Sequence, residues 1–417
     1  MMGMKVENLQ CAEARLGQNN CLQLEEDAGC GMMYELRTIH IGDLGRVLTG
    51  KTPPSVRPEL FGDDHPFLTP TDIDGASRYI EPERFLSPEG RNYQQRLMLP
   101  GRSVCVVCIG ATIGKVCMTG RPSFTNQQIN SVVVNEQEHD PFFVYHLMTT
   151  LRDELKANAG GSATPIINKT AFSEIKVRVP PLPVQRRIAG ILSTYDELIE
   201  NSQRRIKILE EMARSVYREW FVHFRFPGHE NVSLVSSSLG AIPQGWEAGR
   251  LDDVLVLQRG FDLPKAKRME GTVPIYAATG VTGFHCEAKV KAPCVVTGRS
   301  GTIGDVIYVQ EDFWPLNTSL WAKGFPKSEP LYAYYVLSSV GLKQFNSGAA
   351  VPTLNRNDLH GLDVLIPPCV LQKRFQKIAG AMLLQTRNLE LQIQNLRRTR
   401  DLLLPRLLSG QVNPKEN

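Results

Sequence analysis

The chain carries one module twice. ATIGKV at Ala111–Val116 returns as GTIGDV at Gly301–Val306, and the PSFTNQQ loop around Asn126 is answered by WPLNTSL around Asn317. DPFFVYHL at Asp140–Leu147 parallels EPLYAYYVL at Glu329–Leu337, and TPIINKTAF at Thr164–Phe172 parallels VPTLNRNDL at Val351–Leu359. KVRVPPLPVQRR at Lys176–Arg187 parallels DVLIPPCVLQKR at Asp363–Arg374. The matches keep their order, and their separation drifts only between 187 and 191 residues. Any fold must therefore house two copies. Tandem copies can pack about a pseudo-two-fold axis, which suits a partner with two-fold symmetry.

Each copy ends in a long amphipathic stretch. From Pro183 to Gly228, apolar residues fall at Val184, Ile188, Ile191, Tyr195, Leu198, Ile206, Leu209, Ala213, Val216 and Trp220, with Ser202 where the series lapses. Steps of three and four over about 40 residues predict a helix with one apolar seam, on the order of 60 Å long. From Leu371 to Gly410 the same spacing runs through Leu371, Phe375, Ile378, Met382, Leu389, Ile393, Leu396, Leu403 and Leu407. Two matched seams bury each other most simply as an antiparallel pair. Upstream of each helix lie short β-like runs, such as RTIHIGDL, SVCVVCIG, SVVVN and IKVRVP, with one helical stretch from Pro141 to Leu155. The predicted fold is α+β: two β-rich mixed α/β domains in tandem repeat, separated by two long helices that pair as an antiparallel coiled coil. The boundaries read 1–33 as a loose tail, 34–182 as the first domain and 183–232 as the central helix. The second domain is 233–368, entered through a Ser-rich linker from Val232 to Ser238, and 369–417 is the C-terminal helix.

With 417 residues, 42% hydrophobic and 22% charged, the chain has the composition of globular domains and length for two or three of them. It lacks a membrane-length apolar run and a basic-then-apolar leader, and its nine scattered cysteines fit a reducing, cytoplasmic setting. Cys105 and Cys108 form a lone CxxC inside an apolar run, where a zinc site needs a second pair; they read as core strand residues. The net charge of +4 permits nucleic-acid binding without requiring it. The basic residues of the C-terminal stretch, from Lys373 and Arg374 to Arg406, fit either a phosphate-facing surface or a solvated face.

Three catalytic signatures fail on chemistry. Gly45 to Thr52 spells the phosphate-cradling G-x-x-x-x-G-K-T, but that loop needs a helix starting at its Lys-Thr. Pro53, Pro54 and Pro58 forbid one, and the counterpart around Gly260 lacks the motif. Asp140-Pro141-Phe142-Phe143 approaches an amino-methyltransferase motif, yet a helix start with Asp as cap and Pro at the first turn explains it. Glu174 and Lys176, half of a metal-nuclease pattern, face Gly361 and Asp363 in the other copy. No histidine sits in ligand or triad spacing. The chain is expected to catalyse nothing.

What both copies do offer is polar loops. Duplex DNA is read by hydrogen-bonding side chains at base edges while basic groups hold phosphates. In the first copy Lys51, Thr52, Thr69, Thr71, Asp72, Asn126, Gln127 and Gln128 supply reading groups, and Arg91, Arg96, Arg121 and Lys169 supply phosphate contacts. In the second copy the candidates are Arg259, Lys265, Lys267, Arg268, Thr279, Arg299, Asn317, Thr318, Ser319, Asn355, Arg356 and Asn357. Corresponding loops are polar in both copies but differ in sequence, as two readers of different half-sites would.

The helical segments PPLPVQRRIAGILSTYDELIENSQRRIKILEEMARSVYREWFVHFRFPG and TRDLLLPRLLSG, with TGKTPP, HPFLTPTDIDG and VPIYAATGVTG, resemble the specificity subunit of type I restriction–modification systems. The similarity spans roughly Tyr34 to Val412 and leaves the first 33 residues outside. It implies two target-recognition domains, each reading half of a bipartite double-stranded DNA site, with the helix pair as spacer. It also implies docking of two methyltransferase subunits, joined by two restriction subunits, which would carry S-adenosylmethionine, ATP and Mg²⁺; this chain would bind none. Arg204, Arg205, Glu210, Glu211, Arg214 and Arg218 on the outward helix face are the candidate docking residues. The competing expectations are a protein–protein adaptor without DNA, a P-loop NTPase and a stand-alone methyltransferase.

Overall fold

The second copy repeats the principal sheet of the first. The computed structural model describes residues 34–160, 165–348, 351–412 and 414; the expected tail over 1–33 lies outside them. Each copy holds a four-stranded antiparallel sheet of one order. In the first it runs Gly45–Thr49, Ile129–Val134, Val104–Val107, Val116–Met118; in the second, Val256–Arg259, Ser319–Gly324, Cys294–Gly298, Val306–Val309. Each copy also pairs its first strand antiparallel with its last, Arg37–His40 with Lys176–Val179 and Glu247–Arg250 with Asp363–Ile366. Each has a parallel strand pair, Phe67 and Leu68 beside Phe124 and Thr125, and Ile275 and Tyr276 beside Trp314 and Pro315.

The helix Pro141–Thr150 starts as expected: the Asp140 carboxylate accepts from the Phe142 and Phe143 N–H groups, with Pro141 next. Its counterpart is Pro330–Ser339. Val104–Val107 is buried throughout because helix and sheet cover both its faces, which explains its unbroken apolar run. Cys105 is buried within the strand, and Cys108, expected in it too, is buried one residue past its end. No helix follows Thr52; the next helical turn is the short Pro58–Leu60.

A glutamine shared by the two copies fixes the start of each long helix. Gln185, wholly buried, accepts the Asp140 N–H at 3.0 Å and donates to the Pro180 carbonyl at 2.9 Å. Gln372, equally buried, accepts the Glu329 N–H at 2.8 Å and donates to the Pro367 carbonyl at 2.8 Å. Each ties three elements together: the last strand, the long helix and the helix start at Asp140 or Glu329.

The long helices span Leu182–Tyr217, continued by a π-helical turn at Arg218–Val222, and Cys369–Leu408. By compactness the described residues up to Glu197 join those from Arg397 onward as one unit, and Leu198–Leu396 form the other. In the first unit Ile188, Ala189 and Leu192 share a core with Leu404 and Leu407. In the second, Tyr217, Trp220 and Phe221 close on Phe375 with ring centroids 5.1–6.2 Å apart. Within each unit, then, opposite ends of the two helices meet, as antiparallel partners do.

The seam differs from the expected one by a residue in places. Leu198 is 50% exposed and Ile378 41%, while Leu192, Asp196, Ile199, Ala379 and Leu404 are buried. Ser202 fills its seam position as expected, and polar Asp196 and Thr386 fill others, which apolar spacing alone drifted off. The Ser-rich segment expected as a linker is also corrected. Leu234–Ser237 pairs antiparallel with Gly240–Pro243 as a hairpin. The Ser237 hydroxyl donates to the Gly240 carbonyl at 2.7 Å, and Gly240 takes the positive φ of 96° that the tight turn requires.

Candidate nucleic-acid interface

In both copies a glycine after the first sheet strand lets two polar loops merge. A Cβ on Gly50 would lie 2.2 Å from the Thr125 carbonyl oxygen, and one on Gly260 2.2 Å from that of Leu316. Only glycine permits this approach. Next to Gly50, the Lys51 N–H donates to the Thr125 carbonyl at 2.9 Å and the Thr52 hydroxyl donates to Gln127 Oε1 at 2.8 Å. Next to Gly260, the Phe261 N–H donates to the Pro315 carbonyl at 2.8 Å, and the Asn317 amide donates to Asp262.

A third segment joins each cluster by the same backbone logic. Cys108 donates to the Gln128 carbonyl at 2.8 Å and Ile167 donates to Cys108 at 2.9 Å; Arg299 donates to the Thr318 carbonyl at 2.8 Å and Leu354 donates to Arg299 at 2.8 Å. Beyond that junction an asparagine caps a short helix in each copy. Asn168 accepts from the Ala171 N–H and Asn355 from the Asn357 N–H, which sets Lys169 and Arg356 at equivalent first helical positions, both exposed.

The first surface thus gathers Lys51, Thr52, Gln127 and Gln128, and the second Arg259, Arg299, Asn317, Asn355 and Arg356, while the Thr318 hydroxyl is buried. Several candidates build these loops rather than face outward. Thr69 is buried, its hydroxyl and N–H both donating to Asp72 Oδ2 at 2.6 and 2.7 Å. Asn126 donates to Gln128 Oε1 at 3.0 Å, and Ser319, wholly buried, donates to the Leu316 carbonyl at 2.8 Å. Thr71 is exposed beside that Thr69–Asp72 turn.

A cleft of about 440 Å³ brings Lys51 to Asn92, Tyr93, Gln94, Gln95 and Arg96. Arg91, on the helix Pro88–Tyr93, lies beside it in sequence. The polar run RNYQQR at 91–96 was the available signal for its uncharged members. Arg121 stands elsewhere, paired with Glu81 at 2.9 Å. In the second copy Lys265 and Lys267 are exposed on a short 3₁₀ turn, Arg268 follows it, and Thr279 tops the hairpin of Val273–Ala277 and Gly280–His285. The candidate docking residues on the central helix are all exposed, and Glu211 bridges Arg214 at 3.5 Å and Arg218 at 2.5 Å.

Sequence reasoning missed one buried cluster. Asp196, on the central helix, lies 2.7 Å from Arg400, 3.2 Å from the His146 ring and 3.9 Å from Arg78. Burial alone would raise its pKa, yet the His146 ring and the Arg400 guanidinium outweigh that, and the carboxyl is held below its ordinary value. Its signal was an acid in a seam position. Among the described residues no group of three or more His, Cys, Asp or Glu could hold a metal ion, and no helix is long and apolar enough to cross a membrane.

Residues 33–211 and 243–395 match the family described as type I restriction modification DNA specificity domain. The MjaIX specificity subunit of a type I restriction enzyme from Methanocaldococcus jannaschii is 26% identical over 414 residues, covering 90% of this chain and 93% of that one. The HindI specificity subunit from Haemophilus influenzae is 36% identical over 172 residues, 39% of this chain and 37% of that protein. The crystal structure of a type I restriction–modification S subunit from M. genitalium shares the fold, with a TM-score of 0.60, 16% identity and coverage of 94% of this chain and 99% of that one. The chain belongs to the type I restriction–modification DNA specificity family. It is a specificity subunit, and its role is DNA recognition.

Proposed function

We propose that each copy reads one half of a bipartite duplex DNA site, that the helix pair sets the gap between halves, and that the outward helix faces dock methyltransferase subunits. The observation that carries this is the pair of loop clusters at Gly50 and Gly260. They are assembled by similar backbone contacts yet present different side chains, Lys51, Thr52, Gln127 and Gln128 against Arg259, Arg299 and Asn317. A shared frame with different reading groups gives two different half-sites. Two weak readers on one spacer gain affinity through effective concentration when the spacing matches.

In this reading the chain is the non-catalytic member of a complex with two methyltransferase and two restriction subunits, and S-adenosylmethionine, ATP and Mg²⁺ belong to those partners. Its setting is the cytoplasm. The test is methylome sequencing of a host expressing the methyltransferase subunit with and without this chain. A split methylated motif of fixed gap, present only with the chain, is the expected result. No new motif, with the methyltransferase soluble and bound to the chain, would overturn the DNA reading in favour of a plain adaptor.

A further inference from the structure

The two copies differ beside their outermost sheet strand. In the first copy 30 residues separate Leu68 from Leu99, whereas 13 separate the corresponding Tyr276 from Val290. The extra length lets Arg78 and Tyr79 run along the edge strand Val116–Met118, where the Met118 N–H donates to the Arg78 carbonyl at 2.7 Å. The Arg78 side chain, 5% exposed, then enters the space between sheet and helices. Its guanidinium lies 4.8 Å from the Tyr79 ring centre, 5.2 Å from that of Phe142 and 3.9 Å from the Asp196 carboxylate. Aromatic faces plus a carboxylate hold a buried cation.

The second copy has no such segment, and a cavity of about 280 Å³ lies along its edge strand Val306–Val309. Its walls repeat the chemistry that holds Arg78: the rings of Tyr276, Tyr308 and Tyr334 and the carboxylates of Glu210, Glu311 and Glu390. Arg387 lies 2.8 Å from Glu311 and 3.6 Å from Glu390, and Glu210 adds a third carboxylate to the lining, so acidic groups outnumber the one cation in the cavity wall. An acidic cleft of this kind repels DNA phosphates and attracts a second cation of side-chain size.

We propose that this cleft is a socket for an arginine or lysine side chain of a protein partner docked over the helices, filling from outside the place that Arg78 fills from within. The proposal rests on the reading that a methyltransferase subunit docks there. The first measurement uses the full chain with N-acetyl-arginine amide as probe, and its neutral isostere N-acetyl-citrulline amide as control, followed by saturation-transfer NMR. Transfer to the arginine side-chain protons should exceed transfer to citrulline at least threefold. The Glu210→Gln/Glu390→Gln variant, whose changes are at exposed and half-exposed carboxylates, should abolish that preference while its circular dichroism and melting stay near wild type. Equal transfer to both probes, or a preference that survives in the double variant, overturns the socket.

The second measurement adds the methyltransferase subunit. It should displace the arginine probe, and the double variant should bind that subunit roughly tenfold more weakly. A probe that stays bound in the complex, or equal affinity of variant and wild type, overturns the assignment to a partner side chain. Failure of the wild-type chain to bind the subunit at all would instead remove the docking reading, and with it the partner assignment, while the probe measurement still decides the cation site.

Discussion

Asp196 shows what one side chain decides. It sits 3% exposed among three basic groups, and removing its charge takes from the largely buried Arg400 the shorter of its two carboxylate contacts, 2.7 Å against 2.9 Å to Asp401. Asp196→Asn should cost about 3 kcal/mol, the scale of a broken buried ion pair, and denaturant unfolding measures it. The pH dependence has a definite sign. The folded pKa lies below the unfolded one, so the stabilisation is complete above about pH 4 and is lost as pH falls through the folded value. The wild-type melting temperature should therefore drop more steeply in acid than that of Asp196→Asn; parallel curves would remove Asp196 from the account. Gln185 and Gln372 are the second case. Truncating either to alanine strands an N–H and a carbonyl in a dry site, a loss of about 1–3 kcal/mol each. Equal losses from the two would match their equivalent roles in the two copies.

At the scale of elements, the loop clusters proposed to read DNA depend on the absence of a side chain. Gly50→Ala and Gly260→Ala each drive a methyl into a backbone oxygen 2.2 Å away, which must part the merged loops. Each variant is expected to weaken specific DNA binding at least tenfold while the other half of the motif is still discriminated, as binding to half-site-scrambled duplexes would show. Loss of both halves from one substitution would mean the clusters are not independent readers. Basic groups act differently from reading groups. Lys169→Ala or Arg356→Ala should lower affinity evenly across sequences and reduce the salt slope by about 1, if each touches one phosphate. The long helices were legible from their period. Their exact buried face was not, because Asp196 and Thr386 occupy seam positions that an apolar count passes over.

For the whole molecule, the repeat carries the prediction. Exchanging Tyr34–Leu182 for the same segment of a relative with a different target should change one half of the methylated motif and leave the other. Deleting one helical turn from both helices shortens the spacer by about 5.4 Å and should change the gap by one to two base pairs. An unchanged gap, read by methylome sequencing, would mean the helices do not set it.

The sequence by itself determined the duplication, the two long helices, the β-rich character of each copy and the absence of a helix after Thr52. These follow from order, period and proline chemistry, which are local. The helix cap at Asp140 and the burial of Cys105 and Cys108 were legible for the same reason. What only the tertiary structure decided is which polar residues face outward and which are spent inside. Thr69, Asn126 and Ser319 look like readers in sequence, yet their hydrogen bonds close turns whose partners come from the fold. The Arg78–His146–Asp196–Arg400 cluster joins residues up to 322 positions apart, and the open cleft beside Val306–Val309 exists because a connection is shorter in one copy. Side-chain partners far apart in sequence leave no period to read, so the chain announces its architecture while its sites wait on packing.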